Sequence, residues 1–238
     1  MSPTQSLPLF RWDSPGPYVA AFSTRQGGVS EPPFASLNLG KRTADDPERV
    51  TENRRILCKE VGTDDELLCF GRQVHGADVR RARGQREPGD GLWTDERGKP
   101  LLVFTADCLP VAIARANGAQ PAIAAVHVGW RGLLAGIVEN AAAALGGGEL
   151  AAVIGPGIGP CCYEVGEEVA EPFRARFGGG ILRDGKLDLW SATELALRGV
   201  GAEVTRLDLC TACHPGLFFS PRREHGTTGR QGLIAYVT

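Results

Sequence analysis

Hydrophobic residues fall in short, nearly uninterrupted runs separated by polar segments rich in glycine and proline. The clearest amphipathic pattern is DDPERVTENRRILCKEVG. It predicts a helix with Asp45 or Asp46 as cap, Pro47 in the first turn, Val50, Leu57 and Val61 on one face, and Gly62 at the stop. PAIAAVHVGWRGLLAGIVENAAAALGGG reads as strand, tight turn, helix and glycine stop, and AAVIGPGIGPCCYEVGEEVAEPFRARF repeats that order with a longer loop. SATELALRGVG places Ser191 and Glu194 in capping-box spacing and predicts a short helix.

Strands are predicted at Ala20 to Ser23, in LLCFGRQVHG and ADVRRA, and on both sides of Asp107 and Cys108 in LLVFTADCLPVAIARA. Three more are predicted in EVTRLDLC, LFFSPRR and GRQGLIAYV, the last two joined by the polar turn REHGTT, while GQREPGDGLWTDERGKP reads as turn-rich. No tandem repeat, low-complexity tract or linker interrupts the series. The pattern predicts an α/β fold, a single domain over residues 1–238 with a mixed β-sheet and flanking helices, its core running from about residue 18 to 238.

Composition narrows the function classes. With 238 residues, 42% of them hydrophobic, the chain is long enough to bury a full core. A formal charge of -2 removes the broad basic surface that non-specific nucleic-acid binding requires, so no nucleic-acid partner is expected. The start, MSPTQSLPLFRW, has no basic segment followed by a long apolar one, and no uncharged apolar run reaches the roughly 18 residues that span a bilayer. A cytoplasmic protein without a membrane partner is expected. The 7 cysteines, an odd count in a chain that needs no staples, fit a reducing compartment.

One feature breaks the apolar rule. In AAVHVGWRG, His127 sits inside a run that should be buried, and a buried imidazole needs partners for both ring nitrogens. His75 in RQVHG and Cys108 in TADCLPV also stand at or near the ends of apolar strands, where ligands of open α/β sheets bind. Two imidazoles and a thiolate form a three-ligand zinc set that leaves a position for water or substrate. The spacing alone leaves open the plainer reading of hydrogen-bonded core histidines and a small buried cysteine.

Arg131, read as sitting just before a helix, is placed to help hold a phosphate or to cover the sheet edge with Trp130. Arg25 and Arg230 lie in glycine turns and are candidate substrate contacts, as is Asn38 in SLNLG. GPGIGPCCYEVG is not a dinucleotide fingerprint, because Pro156 and Pro160 remove donors and no helix opens after the third glycine. It reads as a rigid wall with Cys161 and Cys162 as packing residues. CTACH, containing Cys210 and Cys213, resembles half a zinc knuckle without a second pair at the expected spacing.

Together STRQGGVS, SLNLG, RQVHG, TADCLPV, HVGWRG, GPGIGPCCYEV and FFSPRREHGTTGRQ resemble the YfiH-like family, the laccase-domain or "polyphenol oxidase" proteins, in order from about residue 20 onward. The resemblance implies a zinc-dependent purine nucleoside enzyme. Its expected reactions are phosphorolysis of adenosine, inosine and methylthioadenosine, with adenosine deamination alongside. The family's metal ligands carry over to His75, Cys108 and His127. Where the family shows an aromatic residue in its SxRR-type segment, this chain has Pro221. Zinc lowers the pKa of water from about 15.7 toward about 7, which suits deamination, whereas phosphorolysis asks Arg131 or the metal to orient phosphate. Asp107 is the candidate proton carrier or partner of a ligating histidine.

Copper is expected only as an adventitious ion. A blue-copper centre plus a trinuclear cluster needs more than the 4 histidines present, and no His-x-His occurs. Two rivals stay open: a cysteine-dependent amide hydrolase using Cys108 as nucleophile and His127 as base, and a binding module that zinc merely stabilises. The expected partners are purine nucleosides and phosphate, in a monomer or homodimer.

Overall fold

Side-chain alternation along the strands decides the architecture. The computed structural model describes residues 6–116 and 120–238, and of residues 85–87 the backbone alone. Residues 1–5, which open the segment read as leaderless, lie outside the described residues. In chain order the elements are β1 (Leu9–Arg11), β2 (Tyr18–Ser23), α1 (Pro47–Val61), β3 (Cys69–Arg72), β4 (Val79–Arg81), β5 (Gln85–Pro88), β6 (Gly91–Thr94), β7 (Leu101–Thr105), β8 (Leu109–Arg115) and β9 (Ile123–Val128). They continue as α2 (Trp130–Leu134), α3 (Ile137–Ala144), β10 (Leu150–Ile154), α4 (Glu167–Phe177), β11 (Leu182–Arg183), β12 (Lys186–Leu187), α5 (Leu189–Gly199), β13 (Ala202–Arg206) and β14 (Gln231–Val237).

The long strands divide between two six-stranded sheets, in the orders β1-β2-β14-β7-β3-β5 and β13-β10-β8-β9-β6-β4, while β11 and β12 pair separately. Both large sheets are mixed: β3 runs parallel to β5 and β7, and β10 parallel to β13, amid antiparallel neighbours. The α/β class with flanking helices therefore stands as expected, but with two mixed sheets in place of one.

The reason is that the apolar strands bury both faces. Phe22 of β2, Val103 of β7 and Leu233 of β14 meet Ala112, Ala114, Ile123 and Ala125 of the other sheet, large side chains against small. On the outer face of the first sheet, Leu102, Ile234 and Tyr236 pack on Leu57 and Val61 of α1. Val111, Ile113, Val126 and Val128 on the outer face of the second pack on Ile137, Phe173 and Leu197. The result is four layers, helix, sheet, sheet and helices. Each fully buried Val, Leu, Ile or Phe contributes about 1.5–3 kcal/mol.

Local signals explain most element ends. Asp46 caps α1 by accepting the Glu48 N–H at 2.8 Å, and Gly62 closes it with φ 79°, where a β-carbon would be strained. Four expectations are corrected. The helix after GWRG is split into α2 and α3 at Gly136, whose φ is 89°. Ser191 is not the cap of α5: Asp188 is, accepting both the Ser191 N–H (2.9 Å) and its hydroxyl (2.7 Å). The turn-rich GQREPGDGLWT forms β5 and β6, because β3 and β9 offer open edges that these residues complete.

LFFSPRR, finally, is turns and loop rather than a strand. Its Phe219 backbone is satisfied by one side chain: the N–H donates to Gln231 Oε1 (2.8 Å) and the C=O accepts from Gln231 Nε2 (3.2 Å). Among the described residues, no helix is long and apolar enough to cross a membrane. Replacing Gln231 with Leu leaves that buried peptide unpaired and should cost about 1–3 kcal/mol in urea unfolding. A loss under about 0.5 kcal/mol would contradict the role given to this side chain.

Candidate metal centre and the cavity around it

The period of two along β9 accounts for the odd histidine. Ile123 and Ala125 face the layer between the sheets, so His127 follows on that same face at its edge. His75 lies just beyond β3, and Cys108 in the turn between β7 and β8. These three sequence-distant donors converge: their ligand atoms all lie within 4.8 Å of one another, and the two imidazoles meet edge to face at 4.9 Å. Gly129 permits the approach. A β-carbon there would stand 3.2 Å from Cys108 Sγ and 3.3 Å from His75 Cδ2.

The group that organises the trio is Asp90, in the turn of EPGDGLW, which sequence reading passed over. Its buried carboxylate accepts the N–H groups of Val74 (3.0 Å), His75 (2.9 Å) and Gly76 (2.8 Å), and His127 Nδ1–H donates to it at 2.8 Å. The Asp90 carbonyl also accepts the His127 N–H at 2.7 Å. One residue thus fixes the loop that carries His75 and the ring orientation of His127, leaving Nε2 of that ring as its ligand atom. Asp-Gly in a polar stretch looks like any turn, so no signal in one sequence distinguishes it.

His75 (φ 62°) and Asp107 (φ 77°) both hold left-handed backbone conformations. For residues other than glycine this costs about 1–3 kcal/mol each, and such strain concentrates at functional sites.

Charge completes the picture. Burial alone would push the Cys108 thiol up, but the facing charge of His127 and hydrogen bonds from His127 and His75 outweigh it and hold the thiol at about 6. Burial would likewise push His127 down, yet the Cys108 thiolate and the Asp90 carboxylate raise it to about 9. Burial opposes ionisation of Asp90 too, but its bonds from His127, Val74 and Gly76 keep it below the usual carboxylate range. A thiolate and two imidazoles, one of them oriented by a carboxylate, match the donors of a zinc site. Among the described residues, no fourth histidine, cysteine or carboxylate joins this group.

The trio opens on a cavity of about 610 Å³, within the range of small-molecule sites. Lys41, Arg42, Arg54, Arg72 and Arg230 line it, and no carboxylate does among the described residues. The Thr105 hydroxyl also lines it, buried and without a hydrogen-bond partner. A second cavity of about 480 Å³ shares His75 and adds Tyr163, Arg222 and His225.

Of the expected substrate contacts, Arg230 alone lines the first cavity, its guanidinium bonded to the Thr228 and Gly229 carbonyls. Arg25 instead lies 4.5 Å over the Phe219 ring and donates to Glu224 (2.8 Å) and to backbone carbonyls. Asn38 is fully buried, its amide committed to Thr43, Asp45, Gly40 and Arg230. Arg131 is the second residue of the five-residue α2, not a residue preceding it, and its guanidinium stacks on Trp130 at 4.4 Å. Asp107 accepts from the Thr211 hydroxyl (2.6 Å) and the Arg222 N–H (2.9 Å), whereas the hydrogen bond to a histidine of the trio belongs to Asp90. The sequence reading missed Arg42, in a polar turn indistinguishable from a solvated loop, and Arg72, a lone polar residue at the end of β3.

Two mixed sheets that deliver two histidines and a cysteine to a cation-lined cavity define a laccase-like α/β class. The family model described as "Multi-copper polyphenol oxidoreductase laccase" matches residues 19–238, and the chain belongs to this YfiH-like family. It is 37% identical over 239 residues to the Escherichia coli K12 protein named purine nucleoside phosphorylase YfiH, covering 95% of this chain and 97% of that one. To a Deinococcus radiodurans protein named purine nucleoside phosphorylase it is 39% identical over 242 residues, covering 96% and 92%. The crystal structure of YlmD from Geobacillus stearothermophilus superposes with a TM-score of 0.88 at 32% identity, covering 100% of this chain and 98% of that one.

Each Asp90 carboxylate oxygen accepts from two donors, and replacing Asp90 with Asn turns one of the two oxygens into a donor. Zinc affinity should fall about 10- to 100-fold in a competition titration against a chromophoric chelator; a change under about twofold would refute the assignment. A second test is a pH profile. Burial would push Glu224 up, but bonds from Thr228, Arg223, Arg25 and the Ser220 N–H hold it at about 2, below its ordinary 4.5. The stability it contributes is therefore complete above about pH 4.5 and lost as pH falls toward 2. Glu224→Gln should lose less stability than the parent across that window, and parallel curves would contradict this.

Proposed function

We propose that the chain is a zinc-dependent purine nucleoside phosphorylase acting on adenosine, inosine and S-methyl-5'-thioadenosine, with adenosine deaminase activity. It is read as one catalytic domain over residues 1–238. The observation that carries the reading is the pairing of a metal-competent trio with a cavity lined by five cationic side chains and no described carboxylate. Phosphate is the anion that such a lining suits, and the names of the relatives supply the nucleoside.

In this reading His75, Cys108 and His127 hold zinc, which supplies Lewis acidity when bound. Arg42, Arg72 and Arg230 orient phosphate, and the Thr105 hydroxyl offers it a hydrogen bond. A phosphate oxygen bonds to the ribose anomeric carbon as the glycosidic bond breaks, its electron pair leaving with the base. Asp90 keeps His127 in its tautomer throughout. Seven unpaired cysteines support a reducing, cytoplasmic setting.

One observation favours a second reading. Asp90, His127 and Cys108 form a carboxylate–imidazole–thiolate line, the arrangement of an activated cysteine nucleophile in an amide hydrolase. Activity that survives chelation and dies with iodoacetamide would select it.

The deciding experiment incubates zinc-loaded protein with adenosine, with and without phosphate. Adenine and ribose 1-phosphate should form only with phosphate, and inosine in both. Arg230→Ala should lower phosphorolysis by on the order of 10² while moving deamination only a few fold. No turnover of any of the three nucleosides would overturn the proposal.

A further inference from the structure

A second group of sulfurs lies outside the cavity. Cys161 and Cys162, expected to be packing residues, and Cys210 and Cys213, half of an incomplete knuckle, come together: all four Sγ atoms lie within 4.8 Å of one another. Cys213 Sγ stands 3.4 Å from both Cys161 Sγ and Cys162 Sγ, and none of the four is in a disulfide. A disulfide requires about 2.05 Å. Zinc–sulfur bonds of about 2.3 Å instead set tetrahedral sulfur separations of about 3.8 Å, a few tenths of an ångström beyond the two 3.4 Å contacts and inside the 4.8 Å that encloses all four.

The backbone is arranged as metal–thiolate loops are. The Gly159 N–H points at Cys210 Sγ (3.3 Å), a donor that stabilises thiolate charge. Gly157 and Cys210 form a parallel bridge, and the Thr211 N–H donates to the Gly157 carbonyl at 3.0 Å, holding the two cysteine-bearing loops in register. Cys161 and Cys213 are exposed and Cys162 half-buried, so an ion can enter without unfolding. The missing second pair is thus supplied by adjacent residues some fifty positions upstream, a spacing that no short zinc motif describes.

We propose that Cys161, Cys162, Cys210 and Cys213 bind one tetrahedral cation of zinc's class, clamping the 155–163 loop to the 207–214 loop. The clamp reaches the second cavity through its neighbours. Thr211 follows Cys210 and holds the Asp107 carboxylate, and Tyr163 follows Cys162 and lines the second cavity. Four thiolates with no open position make this a structural site.

The test uses the full chain, loaded with zinc, freed of weakly held ions and analysed for metal by mass spectrometry. Cys213→Ser, at an exposed position, should hold one equivalent fewer per chain than the parent, and Cys108→Ser should retain the equivalent that Cys213→Ser loses. Cobalt(II) in the Cys108→Ser protein should give the intense thiolate charge-transfer absorption of a four-sulfur site, absent when Cys213 is also replaced. Circular dichroism confirms that each variant is folded, and Cys161→Ser serves should Cys213→Ser fail to fold. Equal metal in parent and Cys213→Ser overturns the proposal. So does a Cys213 disulfide to Cys161 or Cys162 in protein kept reduced. Because the readout is metal at these sulfurs, failure of the nucleoside reading leaves the result intact, and the reverse holds too.

Discussion

The buried carboxylate of Asp90 is the constraint on which the site depends. It accepts three successive backbone N–H groups from the loop of His75 and the ring N–H of His127, joining a loop that follows one sheet to a strand of the other. Without it, four buried or half-buried donors lack a partner, each at a cost of about 1–3 kcal/mol. With it, His127 presents a single nitrogen to Cys108 and His75, and the strained backbone of His75 is held in place.

The four-layer packing is what brings these parts together. Small residues on β8 and β9, chiefly alanine, let the second sheet lie close against the large side chains of β2, β7 and β14. The metal donors stand at the rim of that dry layer, where β3, β7 and β9 end and turns take over. Rigid strands on one side and cation-bearing loops on the other give a site whose donors are fixed and whose open face is wet.

Much of this was legible in the chain, and for definite reasons. His127 announces itself because a polar residue in an apolar strand must be satisfied, and α1 because its caps and stripe agree. His75 and Cys108 could be grouped with it as donors at strand ends, but their spacing left the plainer core reading open, since the fold brings them together. Asp90 and the cavity's Arg42 were invisible because polar residues in turns look alike until their neighbours are known, and Arg72 because a charged residue at a strand end is ordinarily solvated. The pairing of Cys161 and Cys162 with Cys210 and Cys213 was hidden in the same way. LFFSPRR misled because its apolar content serves burial of Phe218 and Phe219, with a glutamine side chain in place of a neighbouring strand.

The most direct measurement is anomalous diffraction at the zinc edge from crystals of the zinc-loaded chain. The account predicts a peak bonded to His75, Cys108 and His127 Nε2, with Asp90 still on Nδ1 and the remaining coordination position facing the cation-lined cavity. A map without density among those three donors, or with a fourth protein ligand closing that position, would contradict it.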